Sequence, residues 1–371
     1  MKKNYFMLAA AALMFAACAQ FDTVNELPES EPQAIGFDTY AQMTTRTATA
    51  ENSTATEKNA LSTHHLSFEV WAYKNTDATN YVFGTDEDQG VRVSYADSKW
   101  GYTGTKYWDK AASKYEFYAA APEGQNWVLN AKTVDQADDY FTLDDFALTG
   151  KTLANSTSLT PSFSSVSSVG DIDLMIASAE PVTTIPPTSN IVQLDFNHIL
   201  SRLNISVTKG ANIASDDKLV LTGISVNNLV KNGSFTESAA VQAGTTQRWS
   251  AASTPADYDI TGNTLDNVTS TTYVFQALVI PQRANAEDLK RDGSDVNATD
   301  SEPYLTLSYT IAEEPYSATF NLSKAFAPSE THYDFFEGYQ HTLNITIDAS
   351  AILFEANAFV WDAKSVPHPI D

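Results

Sequence analysis

The sequence contains a single cysteine, Cys18, among 371 residues. A chain with one cysteine needs no disulfide chemistry, and it offers no pattern of a cysteine nucleophile. The short motifs of common enzyme classes are also missing: there is no G-x-S-x-G, no H-E-x-x-H and no glycine-rich phosphate loop. These absences leave catalysis without support, and we predict a protein that is not an enzyme and needs no cofactor or metal.

Positive charge is scarce. The chain has 22 lysine and arginine residues against 46 aspartate and glutamate residues, which gives a formal net charge of −24. A field of this sign repels the phosphates of nucleic acids and of anionic membrane surfaces. An acidic surface also keeps a secreted protein soluble. The charge balance therefore argues against nucleic acid as a partner and indicates solubility, with an acidic site for cations as the alternative.

Long apolar runs are missing except near the N-terminus. Lys2 and Lys3 precede an apolar run over residues 5–15, which is too short to span a bilayer and stay there. Residues 15–18 (FAAC) match a bacterial lipobox, in which small residues precede the cysteine that receives the lipid. The sequence predicts a lipoprotein signal peptide over residues 1–17, lipidation (palmitate) at Cys18 and an acidic spacer over residues 18–34. The alternative is an ordinary signal peptide that contains a cysteine.

Sustained helical periodicity is absent as well, so helices should be few and short. Short alternating segments, such as 66–73 (LSFEVWAY) and 91–95 (VRVSY), are separated by Gly, Asp, Asn and Ser turns. This pattern predicts an all-β protein built of β-sandwiches. A proline-rich break at residues 181–187 predicts a domain boundary, because consecutive prolines cannot lie in a central strand. The predicted N-terminal domain covers residues 35–188, and the C-terminal domain covers residues 189–371.

The segment 35–46 (IGFDTYAQMTTR) is predicted to be a half-buried strand, because every second residue belongs to one face. That face consists of Ile35, Phe37, Thr39, Ala41 and Met43. A polar run over residues 47–59 follows, with almost no apolar anchor. A strand attached through such a run is accessible to proteases. Its removal would leave a sheet with an open edge or groove.

Several segments together resemble the fimbrillin family, the Bacteroidetes proteins that build type V pili. They lie in the family's order and cover about residues 35–361. The segments are 35–37 (IGF) leading to Thr45 and Arg46, 106–108 (KYW) leading to 115–122 (YEFYAAAP), 171–175 (DIDLM), 192–207 with its core 196–203 (FNHILSRL), and 359–361 (FVW).

The resemblance implies two tandem transthyretin-like β-sandwich domains in a lipoprotein precursor. It implies export to the cell surface and outer membrane, where the lipid on Cys18 contacts the membrane. It further implies that a protease cuts between Arg46 and Thr47. The strand that carries Ile35, Phe37, Ala41 and Met43 then leaves, and a strand of another pilus subunit replaces it. The alternative is that Arg46 is a linker residue in an uncleaved protein.

The function implied is that of a structural or adhesive subunit of a type V-like fimbria, with other pilus subunits and a host or bacterial surface ligand as partners. A stalk subunit needs a free, apolar donor segment. Residues 352–360 alternate well enough to be a donor, and equally well to be an ordinary last strand. The ten residues after Trp361 are polar and contain Pro367 and Pro369, so they make a poor donor. This departure favours a tip or accessory subunit, or a lipid-retained anchor.

Candidate polar sites have simpler interpretations. His64 and His65 are adjacent, so on a strand they point to opposite faces and cannot easily share a metal. Residues 86–90 (DEDQG) fail the spacing of an EF-hand loop, although an adventitious calcium site is the alternative. His198 and Arg202 lie in an apolar context and are expected to be satisfied core or interface residues. Asp171 and Asp173 are expected on the solvent side of a strand.

An aromatic cluster offers the second functional hypothesis. Its members are Trp100, Tyr102, Tyr107, Trp108, Tyr115, Phe117 and Tyr118. If these rings were exposed and coplanar, they could stack on sugars, and the chain would be a monomeric outer-membrane lipoprotein that binds glycans. In a sandwich such rings more often form the core and its rim, and we predict that arrangement here.

Overall fold

A computed structural model of the protein describes residues 31–41, 67–75, 81–84, 90–130, 139–148, 173–237, 248–251, 258, 265, 267–269, 271–285, 302–330 and 332–360. Every element described below lies in the compact unit Gln33–Asp371. Across these ranges, no helix has the length and apolar character that a membrane crossing needs.

The first ten strands lie between residues 36 and 198. They are β1 (Gly36–Ala41), β2 (Phe68–Lys74), β3 (Tyr81–Phe83), β4 (Val91–Ala96), β5 (Lys99–Tyr102), β6 (Tyr115–Ala121), β7 (Trp127–Asn130), β8 (Tyr140–Ala147), β9 (Met175–Ser178) and β10 (Ile191–His198).

Eleven further strands and one short helix follow. They are β11 (Ser201–Lys209), β12 (Leu219–Asn227), β13 (Asn232–Thr236), β14 (Trp249–Ala251), β15 (Thr272–Val279), β16 (Gln282–Asn285), β17 (Tyr304–Ile311), β18 (Glu314–Asn321), α1 (Leu322–Phe326), β19 (His332–Phe335), β20 (Tyr339–Ile347) and β21 (Ile352–Val360).

The largest sheet has eight strands in the order β1-β10-β9-β6-β2-β4-β5, and β3 pairs with β2 beside this path. Its concave side holds one apolar cluster in which Phe68, Phe83, Phe117 and Leu194 are buried. The rings meet edge to face, as Phe68 and Trp100 do with centroids 4.8 Å apart. Such contacts add about 0.5–1.5 kcal/mol each to the gain from burial.

A second apolar cluster lies between the four-stranded sheet β15-β11-β20-β21 and the three-stranded sheet β12-β17-β18. Leu203, Leu221, Phe275, Leu307 and Ile345 are fully buried there. Two smaller sheets complete the fold, with the orders β14-β13-β8-β7 and β16-β19. A third cluster contains Trp71, Phe141, Phe235 and Trp249. It joins strands that precede and follow residue 188.

The structure confirms the predicted all-β sandwich class, and α1 is the one helix among the described residues. The assignment to the transthyretin-like type and the division at residues 188 and 189 stay predictions. β10, which follows that boundary, pairs with β1 and β9, which precede it. The N-terminal sheet therefore takes a strand from beyond the proline-rich break.

Trp71 is fully buried, and glycine backbone covers its ring. A Cβ atom at Gly84 would lie 2.6 Å from Cδ1 of Trp71, and Gly84 has a φ of +72°, which disfavours other residues. Gly90 covers another part of the ring, where a Cβ would lie 2.9 Å from Cδ2. Both glycines are needed for the close approach of the turn to the indole.

We expect the substitution Gly84→Ala to lower the free energy of unfolding by about 2 kcal/mol or more, because it adds both a clash and backbone strain. Urea denaturation measures this change. Gly101→Ala is the matched control: a Cβ there meets nothing within 4 Å. The control should change stability by less than about 1 kcal/mol. Equal effects of the two substitutions would contradict the role of the Trp71 contact.

Candidate functional site

The candidate site is the place of β1 in the largest sheet. On one side β1 runs parallel to β10, with Phe37 opposite Val192 and Thr39 opposite Leu194. On its other side, the N–H of Ile35 donates to the carbonyl of Lys106 at 2.9 Å. The start of β1 is thus held between two neighbours, and the sheet curls until its first strand approaches the segment that follows β5.

Two further hydrogen bonds fix the entry of β1. The N–H of Trp108 donates to the carbonyl of Gln33 at 3.0 Å. The hydroxyl of Tyr102 donates to the carbonyl of Ile35 at 2.7 Å. Burial raises the pKa of Tyr102 above its ordinary value, so the hydroxyl keeps its proton. This clamp is built from β5 and the loop after it.

The side chains of β1 alternate in burial as a half-buried strand requires. Ile35, Phe37 and Thr39 are 2%, 6% and 2% exposed, whereas Asp38 between them is exposed. Ala41 ends the strand in register with Phe196. The strand therefore places one face into the core and the other into solvent.

Phe37 is the side chain of β1 that contributes most to filling the groove. Its ring centroid lies 5.3 Å from that of Phe83, 5.7 Å from Tyr102, 6.1 Å from Phe117 and 6.5 Å from Phe68, all edge to face. Rings from four other strands thus surround one side chain of β1. Without β1 these rings would face an open groove.

Thr39 fits the groove less well. Its side chain is buried, but its Oγ1 has no hydrogen-bond partner. A buried, unpaired hydroxyl costs about 1–3 kcal/mol. The strand that the chain supplies to its own groove is therefore not the best possible occupant.

The free edge that β1 covers belongs to β10. Val192, Leu194 and Phe196 point inward from β10 and are buried, and Phe196 meets Phe68 with centroids 5.3 Å apart. Without β1, the outer backbone groups of β10 would be unpaired. This edge and the ring-lined groove together form a site for one extended strand.

At the end of β10, the structure corrects the expectation for Asp173. This residue is 4% exposed instead of solvent-facing, and its Oδ2 lies 2.9 Å from Nδ1 of His198. Asp173 precedes β9, so the alternation of that strand does not fix the direction of its side chain. The pairing of Met175 with His198 brings the carboxylate to the imidazole. Asp171 lies outside the described residues.

His198 and Arg202 have the interior positions that the sequence predicts. His198 is 2% exposed beside Asp173, and Arg202 is fully buried. Nη2 of Arg202 donates to Oε1 of Gln276 at 2.9 Å. Both residues therefore belong to the core, with Asp173 and Gln276 as neighbours.

The aromatic cluster is core, as predicted, and does not form a sugar platform. Trp100 and Trp108 are 9% and 5% exposed, and Tyr115 and Phe117 are buried. Tyr107 is the exposed member, at 51%. The described part of the chain offers no group of three or more ligands for a metal ion. His64, His65 and residues 85–89 lie outside the described residues.

Four of the predicted site residues, Cys18, Met43, Arg46 and Thr47, also lie outside the described residues, so their roles stay predictions. Sequence reasoning missed the clamp made by Tyr102, Lys106 and Trp108. Residues 106–108 were among the family-like segments, but a contact between residues so far apart gives no periodic signal.

We expect Phe37→Ala to lower the free energy of unfolding of the uncleaved protein by about 3–5 kcal/mol, because it empties the space between four rings. Chemical denaturation measures this change. Asp38→Ala is the matched control on the exposed face of the same strand and should cost about 0.5 kcal/mol or less. If Phe37→Ala were as mild as its control, β1 would not complete the core.

The comparisons with known proteins agree with this architecture. The family model described as Fimbrillin-like matches residues 45–361. A fimbrial protein from Bacteroides vulgatus has a similar structure, with a TM-score of 0.52 and 19% identity over 88% of this chain and 99% of that chain. Among curated proteins, none matches the sequence.

Two further solved structures resemble the chain more weakly. One is a putative cell adhesion protein from Bacteroides uniformis, with a TM-score of 0.46 and 15% identity over 90% of this chain and 99% of that chain. The other is the tip fimbrial protein Mfa3 from Porphyromonas gingivalis, with a TM-score of 0.38 and 11% identity over 80% of this chain and 94% of that chain. The family match covers most of the chain, and the chain therefore belongs to the fimbrillin-like family, whose members are structural and adhesion subunits of cell-surface fimbriae and not enzymes.

Proposed function

We propose that the chain is a lipid-tethered precursor of a fimbrial subunit, which becomes competent for assembly when a protease cuts between Arg46 and Thr47 and β1 leaves. The lipid on Cys18 would hold the precursor at the outer membrane until then. The observation that carries the proposal is the position of β1, an edge strand near the N-terminus whose Phe37 fills a groove that other strands build. A strand of a neighbouring subunit would take its place.

The energetics support an exchange of strands instead of a simple loss. Removal of β1 exposes the outer edge of β10 and the pockets of Ile35 and Phe37. Refilling each of these two pockets is worth about 1.5–3 kcal/mol before entropy. An extended donor also pairs with the unpaired backbone of β10. A vacated groove is therefore a strong site for a strand with alternating apolar side chains.

The unpaired hydroxyl of Thr39 favours the replacement of β1 by a donor strand. A donor with an apolar side chain at this register has no unpaired hydroxyl to bury, so it binds more tightly than β1 by about 1–3 kcal/mol. The difference corresponds to a preference of about 5-fold to 150-fold. The donor needs no other advantage to displace the strand that the chain supplies.

The buried aromatic cluster gives no support to the alternative of a monomeric glycan-binding lipoprotein.

The central test is N-terminal sequencing of protein sheared from cells. We expect the wild-type protein to begin at Thr47, and the variant Arg46→Ala to keep its N-terminal segment and stay out of fimbriae. Lys58→Ala, which removes a basic residue from the same polar run, is the matched control and should be processed normally. A blocked, lipidated Cys18 on every wild-type molecule would contradict the proposal.

A second test concerns the departure of β1 after cleavage. We expect Thr39→Val to slow release of the cleaved N-terminal fragment by about fivefold or more, because it removes an unpaired buried hydroxyl worth about 1 kcal/mol. Size-exclusion chromatography with mass spectrometry measures the rate. Asp38→Asn, on the exposed face, should leave it unchanged. Faster release from Thr39→Val would show that the hydroxyl has a partner in solution.

A further inference from the structure

The two sheets around the second apolar cluster are unequal. The sheet β15-β11-β20-β21 has four strands, whereas the facing sheet β12-β17-β18 has three. β21 ends the first sheet and β18 ends the second. These two edge strands lie on the same side of the sandwich, since the rings of Phe320 and Phe354 meet with centroids 4.8 Å apart.

The core-facing row of β18 is covered only in part: Ala318 and Phe320 are partly buried, whereas Tyr316 is exposed. Leu307 pairs with Ala318, and Tyr309 pairs with Tyr316, so all four side chains belong to the inner face. Leu307 and Tyr309 on β17 are 0% and 7% exposed, but Tyr316 is 48% exposed. The inner face of the sheet is therefore buried at β17 but exposed at Tyr316 on the neighbouring strand β18.

The opposite edge shows the same change. Ile345 and Ile347 on β20 are fully buried, but their partners on β21, Phe354 and Ile352, are only partly buried. Beside Phe320 lies a groove with two parts. The larger part, of about 630 Å³, is lined by Tyr316, Ala318 and Ile352 and lies where a fourth strand of the smaller sheet would lie. The smaller part, of about 350 Å³, is lined by Phe354 and by Lys324 and Ala325 of α1.

The strands beside this groove also have edges without a hydrogen-bonded neighbour in the described part of the chain. Among the described residues, β18 pairs with β17 alone and β21 pairs with β20 alone. The outward N–H and C=O groups of both edges therefore have no strand partner within the described ranges, and such groups can pair with a further strand. An occupant that satisfies backbone groups and apolar pockets together must be an extended peptide.

We infer that this groove is a second strand-binding site, which takes an extended segment of a partner fimbrial subunit. The segment has apolar side chains at alternate positions, which cover Phe354, Ile352 and the ring of Tyr316. It carries lysine or arginine at its ends, because Asp348 lines the larger part of the groove and Glu313 and Glu314 are exposed at the start of β18. Lys324 lines the smaller part. The inference rests on membership in a family of assembling subunits, and it does not require cleavage at Arg46.

The test uses the full, uncleaved chain, in which β1 occupies its own groove. The probe is a short synthetic peptide with valine at alternate positions, threonine between them and lysine at both ends. We expect the peptide to bind, as measured by fluorescence anisotropy, and to slow hydrogen exchange of the backbone amides of β18 by about tenfold or more. The same peptide with alternate backbone nitrogens methylated should not bind, because it cannot pair with an edge.

Two variants locate the site. Ala318→Arg fills the groove and should weaken binding by about tenfold or more, whereas Thr310→Arg, on the opposite face of the adjacent strand, should change it by about twofold or less. Thermal unfolding checks that both variants fold. Equal binding to both variants, or no binding to the wild type, would overturn the inference. So would protection of β18 in the free chain that disappears when residues 361–371 are deleted, because the chain's own tail would then be the occupant.

Discussion

The insertion of Phe37 among four rings is the contact on which the N-terminal sheet depends. Phe68, Phe83, Tyr102 and Phe117 come from separate strands, and each presents an edge or a face to this one side chain. A close-packed interior does not relax easily around a missing ring. Phe37, the ring that these four side chains surround, thus belongs to a strand that lies at the edge of the sheet and near the N-terminus. A sheet built in this way is complete only while that one strand is present.

The sequence predicts part of this arrangement, and the limit has a physical reason. The alternation of Ile35, Phe37 and Thr39 is local, so it is visible in residues 35–46 and predicts which side chains enter a core. The neighbour of β1 is β10, more than 150 residues later in the chain, and the two run parallel. No local pattern specifies a parallel pairing over that separation. Residues 35–37, 106–108 and 192–207 all belong to the family-like segments, but their order in the chain does not say which of them are in contact.

The wrong prediction for Asp173 shows a second limit, because the alternation of a strand does not hold beyond the end of that strand. The alternation was extended to Asp173, although β9 begins only at Met175. Once the strand ends, the backbone turns and the period of two no longer assigns a face. A buried carboxylate needs a partner, and His198 supplies it from the end of β10. The histidine looked unremarkable in sequence because its partner is brought near by strand pairing alone.

Open strand edges are a hazard for any exported protein, because they pair with other edges. This chain covers the edge of β10 with its own strand β1, and among the described residues β18 and β21 are terminal strands of their sheets. Its formal net charge of −24 opposes association between identical copies at long range. The charge does not oppose a partner segment with basic ends. A fimbrial subunit must avoid association with its own copies before assembly, and a strongly acidic chain meets this requirement.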